Sequence, residues 1–301
     1  MKKLIFIIIF FETTLSLSGQ ADSMQVDTLK NWNINGLASI NFSQASFSDS
    51  WQTGGENSLA GLGLFNFVAN YHKNKSLWES SLDAKYGFSK LDKGSPRKTD
   101  DMLDFSSRYG YQAVGNWFYS VSVGFRTQIA KGYQGDTSKI VNSHFLAPAY
   151  IVAALGIDYS PNANFSLALS PITARITIVN DTMLSRLGRF GVDPGEKARL
   201  QYGASLRSSI NQEIMKNVAL NSKLGLFLNY SDDTNLVADW QLLLNMKVNE
   251  ILSANLVTQL LYDKSQIDKI QFKELIGIGF TYKFGKIDKN TKKKMSAENV
   301  L

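Results

Sequence analysis

Cysteine is absent from the 301 residues, so no disulfide braces the fold and the leader is not that of a lipoprotein. Proline is scarce, five residues in all, which disfavours a disordered linker protein and favours long unbroken strands. Histidine occurs only as His72 and His144. With so few, and with no His, Asp and Glu at ligand spacing, neither a metal nor another cofactor is expected. The glycines at Gly54-Gly55 and Gly61-x-Gly63 are not followed by a helical pattern, so a phosphate-cradling loop is excluded. Long hydrophobic runs are missing too. Past the first residues nothing reaches the roughly 18 apolar residues of a spanning helix. The longest run, Phe145 to Ile157, contains Pro148. A helical membrane protein is thereby excluded.

What is present begins with a leader. Lys2 and Lys3, the apolar run Leu4 to Phe11 and the small residues ending at Ala21 form a secretory signal peptide. Its apolar core is too short to span a bilayer, which takes roughly 20 residues. The expected organisation is a signal peptide over 1–21, a short periplasmic segment over 22–30, one domain over 31–285 and a basic, disordered periplasmic tail over 286–301. The charge, 32 Lys and Arg against 26 Asp and Glu, is scattered, and an exported chain is not expected to bind nucleic acid.

Within 31–285 the dominant signal is a period of two, the mark of strands with different faces. In Asn31 to Ser43, Trp32, Ile34, Ala38, Ile40 and Phe42 share one face, and Asn33, Asn35, Ser39 and Asn41 the other. The stretches around Trp78, Trp117, Leu224, Trp240 and Leu256 repeat this, with aromatics gathered at strand ends. Near Pro171 the alternation slips before Arg175, which suggests a bulge. Connections alternate in length. Lys73 to Lys75, Val114 to Asn116 and Asn249 to Ile251 are tight; Leu91 to Thr99, Ala130 to His144, Asn180 to Ala198 and Asp263 to Gln271 are long. These features describe an all-β fold: a transmembrane antiparallel up-and-down barrel of about 12 strands in the outer membrane, with short periplasmic turns and longer extracellular loops. A globular β-sandwich also alternates, but its strands run nearer 5–6 residues.

The last strand, Phe272 to Phe284, has the clearest pattern, its apolar face broken only by Glu274. Phe280, Tyr282 and Phe284 resemble the aromatic ending that barrel-assembly machinery reads, although the lysine-rich tail follows them. Outer-membrane lipid and that machinery are the expected partners, with other envelope proteins as further candidates.

Several short motifs occur in order along the chain. They are Trp51-Gln52-Thr53-Gly54-Gly55-Glu56-Asn57, Arg97-Lys98-Thr99-Asp100-Asp101, Phe145 to Tyr150, Leu169-Ser170-Pro171-Ile172, Phe190 to Gly195 and Gln271 to Glu274. Together they resemble a family of Bacteroidota outer-membrane β-barrel proteins catalogued as domain of unknown function 3078. The resemblance implies a secreted barrel with no settled activity, and so it carries over no catalytic residue.

For chemistry, the residues offer three constellations. His144 in a long loop is placed to meet Asp181 or Asp193, as an outer-membrane hydrolase would need, but it lacks the oriented partners of a triad. The loop motif Trp51, Gly54, Gly55 and Asn57 reads as a turn packed on the rim, with ligand stacking as the alternative. Most informative is the inward face: Glu79, Asp83, Lys85, Asp104, Arg108, Arg126, Arg175, Arg207, Lys223, Lys247, Lys273 and Lys283. Arg or Lys facing hydrocarbon at the midplane costs about 2–4 kcal/mol, so these belong in the lumen. Bases outnumber acids in this set, and basic rings favour anions. The expectation is no enzyme, but a narrow pore for small anionic or neutral solutes. The alternative is a closed structural barrel that docks in an envelope complex. Met183, Leu184, Leu187 and Phe190 are spaced as one face of a short helix in the 180–198 loop, which either constricts the mouth or caps the outside.

Overall fold

The structure, a computed structural model, describes residues 31–48, 56–92, 94–133, 140–162, 164–231, 236–249, 252–264 and 266–285. The signal peptide, the 22–30 segment, Trp51, Gly54 and Gly55 of the loop motif and the basic tail lie outside these residues.

The described chain is almost entirely strand: β1 (Trp32–Ala45), β2 (Ser58–Lys73), β3 (Ser76–Leu91), β4 (Arg97–Val114), β5 (Trp117–Thr127), β6 (Gly132–Tyr133), β7 (Val141–Ser143), β8 (Ala149–Asn162), β9 (Phe165–Ile178), β10 (Ala198–Met215), β11 (Val218–Asn229), β12 (Leu236–Lys247), β13 (Leu252–Asp263) and β14 (Ile267–Gly285). Twelve of these close a barrel in the order β1-β14-β13-β12-β11-β10-β9-β8-β5-β4-β3-β2, each antiparallel to its neighbours. The short β6 and β7 form a separate hairpin in the long connection between β5 and β8. Closure satisfies every edge, the condition for sheet to stand in hydrocarbon.

Alternation places the apolar side chains outside. On β14, Ile276 is 72% exposed and Phe280 61%, whereas Asn41 on the inner face of β1 is 3% exposed. On β5, Tyr119, Val121 and Val123 are exposed on the same side. An apolar outer belt around a polar interior inverts the globular arrangement and fits only a lipid solvent. The chain is an outer-membrane β-barrel, with the short turns at the periplasmic rim and the long loops outside the cell.

The first and last strands are joined by eight residue pairs, from Asn35↔Gly285 to Phe42↔Ile278. The Phe284 ring occupies the space a side chain at Gly36 would take, within 2.0 Å of an added Cβ. It also stacks on Phe65, and on Tyr282. Phe280 and Tyr282 face lipid. Glu274 stays on the outer face, exposed, opposite Thr258 of β13.

The slip near Pro171 is a bulge. Ser170 and Thr173 pair with Ser205 and Gly203, so two residues of β9 stand against one of β10. Thr173 Oγ1 donates to the Ser170 carbonyl at 3.0 Å and fixes the kink. Opposite it Gly156 lies so close that an added Cβ would be 2.0 Å from the Leu169 carbonyl oxygen.

Strands reach further into the long connections than the turn residues suggest. Arg97 to Thr99 belong to β4, and Ile267 to Gln271 belong to β14. Ladder hydrogen bonds continue past the belt, since a hydrated side chain does not end a strand. In the 180–198 loop the helix α1 is only Thr182–Arg186, capped by Asp181. Left-handed backbone at Gly188 and Phe190 stops it from continuing. The four apolar residues therefore do not share a face: Leu184 is 2% exposed, but Met183 and Leu187 are more than 60% exposed. Leu184 packs with Ala147, Val179 and Val192 in a small core at the long-loop rim, joined by Phe190.

Candidate functional site

The inner wall is polar, and its chemistry follows from strand register. Asp83 of β3 lies directly opposite Asp104 of β4, a like-charge pair that destabilises a sheet unless neutralised. Each is met by a base. Asp104 accepts from Arg126 Nε and Nη2 at 2.8 and 2.6 Å, from the facing position on β5. Asp83 accepts from Lys223 Nζ at 2.7 Å and from Asn66 Nδ2 at 2.7 Å. Lys223 is on β11, six places from β3 in the twelve-strand ring and so on the opposite wall.

Other bonds cross the lumen as well. Arg126 Nη1 donates to Asp239 of β12, five places around the ring. Asp239 also accepts from Gln241 at 3.0 Å and Gln259 at 2.8 Å. Lys85 Nζ donates to Gln241 at 3.3 Å. Arg108 joins Glu79, directly across the β3–β4 ladder, to Asp158 of β8 at 2.7 Å. Nearer the long-loop rim, Lys273 meets Asp100 at 3.0 Å and Arg175 meets Asp263 at 3.2 Å. The Arg175 guanidinium also lies 4.9 Å from the Tyr150 ring centroid.

Beside the turn between β12 and β13 the inner wall is polar but uncharged. Asn245 Nδ2 donates to Asn255 at 2.7 Å, and Asn255 Nδ2 to Asn41 at 2.8 Å. Ser39, which accepts from Asn41 Nδ2 at 3.2 Å, and Ser253 are buried with them. Side chains from β12, β13 and β1 thus meet in one neutral cluster.

The ion pairs bring more acid to the inner wall than the set read from alternation placed there. Among the described spanning residues, Lys85, Arg108, Arg126, Arg175, Arg207, Lys223 and Lys273 face Glu79, Asp83, Asp100, Asp104, Asp158, Asp239 and Asp263. That is seven of each among these groups, with Arg199 at the long-loop end of β10 besides. The four aspartates at 100, 158, 239 and 263 were not anticipated. Asp239 and Asp263 share the alternation of Gln241 and Gln259, so the pattern contained them. Asp100 directly follows the expected 91–99 loop, and Asp158 lies near the end of β8. Lys85 and Arg207 alone among these bases have no carboxylate within ion-pair distance; Arg207 extends toward Gly124, where an added Cβ would be 3.7 Å from its Nη2. Lys247 is exposed at the end of β12, on the short-turn rim rather than inside. The side chain of Lys283 lies outside the described residues; its backbone pairs with Leu37.

Asn57 braces the long-loop rim. Its side-chain oxygen accepts the Phe47 N–H at 2.7 Å, and its carbonyl accepts the Asp92 N–H at 2.6 Å. His144 does meet Asp181, Nε2 to Oδ2 at 3.0 Å, while its Nδ1 lies 2.9 Å from the Phe145 carbonyl. Among the described hydrogen bonds neither ring nitrogen meets a hydroxyl that could serve as a nucleophile. Asp181 meanwhile caps α1, accepting from the Leu184 N–H at 2.8 Å. That backbone bond, followed by His144, holds the Asp181 carboxyl below its usual range. The pair ties two loops together and gives hydrolysis no support. Lys98 is a second brace, with Nζ bonded to Asp101, Gln128 and the Ala130 carbonyl at 2.8 to 2.9 Å.

The family described as "Protein of unknown function (DUF3078)" matches residues 42–133, a stretch holding the Trp51 and Arg97 motifs. A comparison with curated proteins finds no match. Among solved structures, an outer-membrane channel from Pseudomonas putida F1 aligns at 9% identity and TM-score 0.39, over 85% of this chain and 96% of that one. The NanC porin aligns at 7% identity and TM-score 0.38, over 82% and 98%. The outer-membrane phospholipase A from Escherichia coli aligns at 12% identity and TM-score 0.35, over 82% and 90%. Likenesses this distant say nothing of what this chain binds.

Proposed function

We propose that the barrel is a narrow pore for small polar solutes, held shut in this conformation by side chains that reach across its lumen. The observation that carries the reading is the pair of bridges between far walls, Lys223–Asp83 and Arg126–Asp239. A barrel that only needed filling would be filled more cheaply by apolar side chains, because burying ion pairs costs more in desolvation than it returns. Ionisable groups kept at membrane depth mark a pathway by default. The balanced lumen predicts little discrimination between ions, with any anion preference resting on Lys85 and Arg207.

The same bridges, together with the asparagine cluster below them, favour a second reading, a permanently closed barrel that serves as a docking subunit in the envelope. Planar-bilayer recording separates the two. On the pore reading, the wild-type barrel gives rare, small openings, and Arg126→Ala with Lys223→Ala gives larger and longer ones. If the double variant is folded by its heat-dependent gel shift yet as silent as wild type, the pore is lost and the closed barrel stands.

A further inference from the structure

We infer that the short-turn rim carries a binding site for the phosphodiester headgroup of an anionic phospholipid, built by the ends of β2, β3 and β4. A cavity of about 530 Å³ opens there between Tyr71, Lys73, Lys75, Ser76, Tyr109 and Tyr111. Tyr71, Lys73, Ser76, Tyr109 and Tyr111 stand at outward positions of their strands, and Tyr111 pairs directly with Ser76. The site therefore faces lipid and not the lumen. Tyr109 and Ser76 hydroxyls lie 3.1 Å apart and set one wall. Left-handed Asn74 makes the turn tight, which brings Lys73 and Lys75 to either side of one corner.

Charge selects the occupant. Lys73 and Lys75 are exposed, and among the described residues neither has a carboxylate within ion-pair distance. The nearest acid in sequence, Glu79, points into the barrel and is bonded to Arg108. Two unpaired ammonium groups above a belt of tyrosines reproduce what a headgroup requires: cations at the phosphate level and amphipathic rings at the interface. Trp32, 5.1 Å from Tyr71 between ring centroids, and Trp78 extend the aromatic wall beneath it. The barrel's periplasmic leaflet supplies such lipids within reach of the lysines, whereas a free anion would use neither the rings nor the membrane position.

The test uses the full chain in maltoside micelles, titrated with phosphatidylglycerol and with phosphatidylcholine, bound lipid being counted by native mass spectrometry. The wild type is expected to retain phosphatidylglycerol in preference to phosphatidylcholine. Lys73→Gln with Lys75→Gln is expected to weaken that retention by about 10–30-fold, from roughly fivefold per lysine at an anionic surface. Lys216→Gln, in the exposed turn between β10 and β11, is expected to leave it unchanged. Equal retention by wild type and double variant, equal loss in the Lys216 control, or no preference for the anionic lipid would overturn the site. Displacement of the lipid by an equal concentration of inorganic phosphate would overturn its assignment to a headgroup.

Discussion

Replacing Arg175 by Met tests whether the lumen's charges act as pairs. Its guanidinium is bonded to Asp263, and the two side chains are 9% and 2% exposed. Methionine keeps the apolar stem and removes the charge, leaving the Asp263 carboxylate buried without its counter-ion. Removing one member of a buried pair costs about 3–5 kcal/mol. Loss of the contact with the Tyr150 ring adds up to about 1 kcal/mol. Because Asp263 also accepts from Gln266 at 3.0 Å, the lower part of the range is expected, about 3 kcal/mol. Adding Asp263→Leu should recover most of that loss, since an apolar pair replaces a buried ion pair at little cost. The assay is urea-dependent folding into lipid vesicles, followed by tryptophan fluorescence for wild type, both single variants and the double. A single-variant loss under about 1 kcal/mol, or a double variant less stable than Arg175→Met, would refute the pairing argument.

Gly156→Ala should destabilise the barrel by about 1–3 kcal/mol in the same assay, because its Cβ would meet backbone atoms of Leu169 and Ser170 at the β9 bulge. Glu274→Leu should stabilise it by about 1 kcal/mol, since a carboxylate on the lipid face costs less than a base but still costs; a loss of stability would mean that Glu274 has a partner or a task. The Asp181 carboxyl is held low in the folded chain, so its contribution is fully present above the ordinary carboxyl pKa of about 4 and is lost as pH falls through the folded value. Protection of the Leu184 amide from hydrogen exchange, taken relative to its intrinsic rate at each pH, should accordingly fall as pH drops below about 4, and Asp181→Asn should abolish that dependence.

Much of the architecture was legible because a barrel strand writes its environment into every second residue. Trp240, Leu242 and Leu244 against Gln241 and Asn245 fixed both the strand and its lipid face, with no long-range information needed. The slip at Pro171 was legible as a bulge for the same reason. What alternation does not encode is where a strand stops: Arg97 to Thr99 and Ile267 to Gln271 look like loop yet lie within β4 and β14. Asp100, beside the expected 91–99 loop, and Asp158, at the end of the apolar run Phe145 to Ile157, were left out of the inward set, which made the lumen look more basic. Nor does a linear pattern state which wall faces which. The Lys223–Asp83 bridge depends on the ring placing β11 six strands from β3, and the cavity at Lys73 depends on three strands ending at one height. The helix in the 180–198 loop was legible in kind but not in length, because left-handed Gly188 and Phe190 interrupt it.

The most direct test of an outward apolar belt around a charged interior exploits the missing cysteine. With none to remove, single cysteines can be placed in turn at Tyr119, Ser120, Val121, Ser122 and Val123 of β5, spin-labelled, and the chain reconstituted in vesicles. Labels at 119, 121 and 123 should relax with membrane-dissolved oxygen, and labels at 120 and 122 should not. Collision with a water-soluble nickel chelate at all five positions, or no alternation between them, would contradict a strand that separates lipid from lumen.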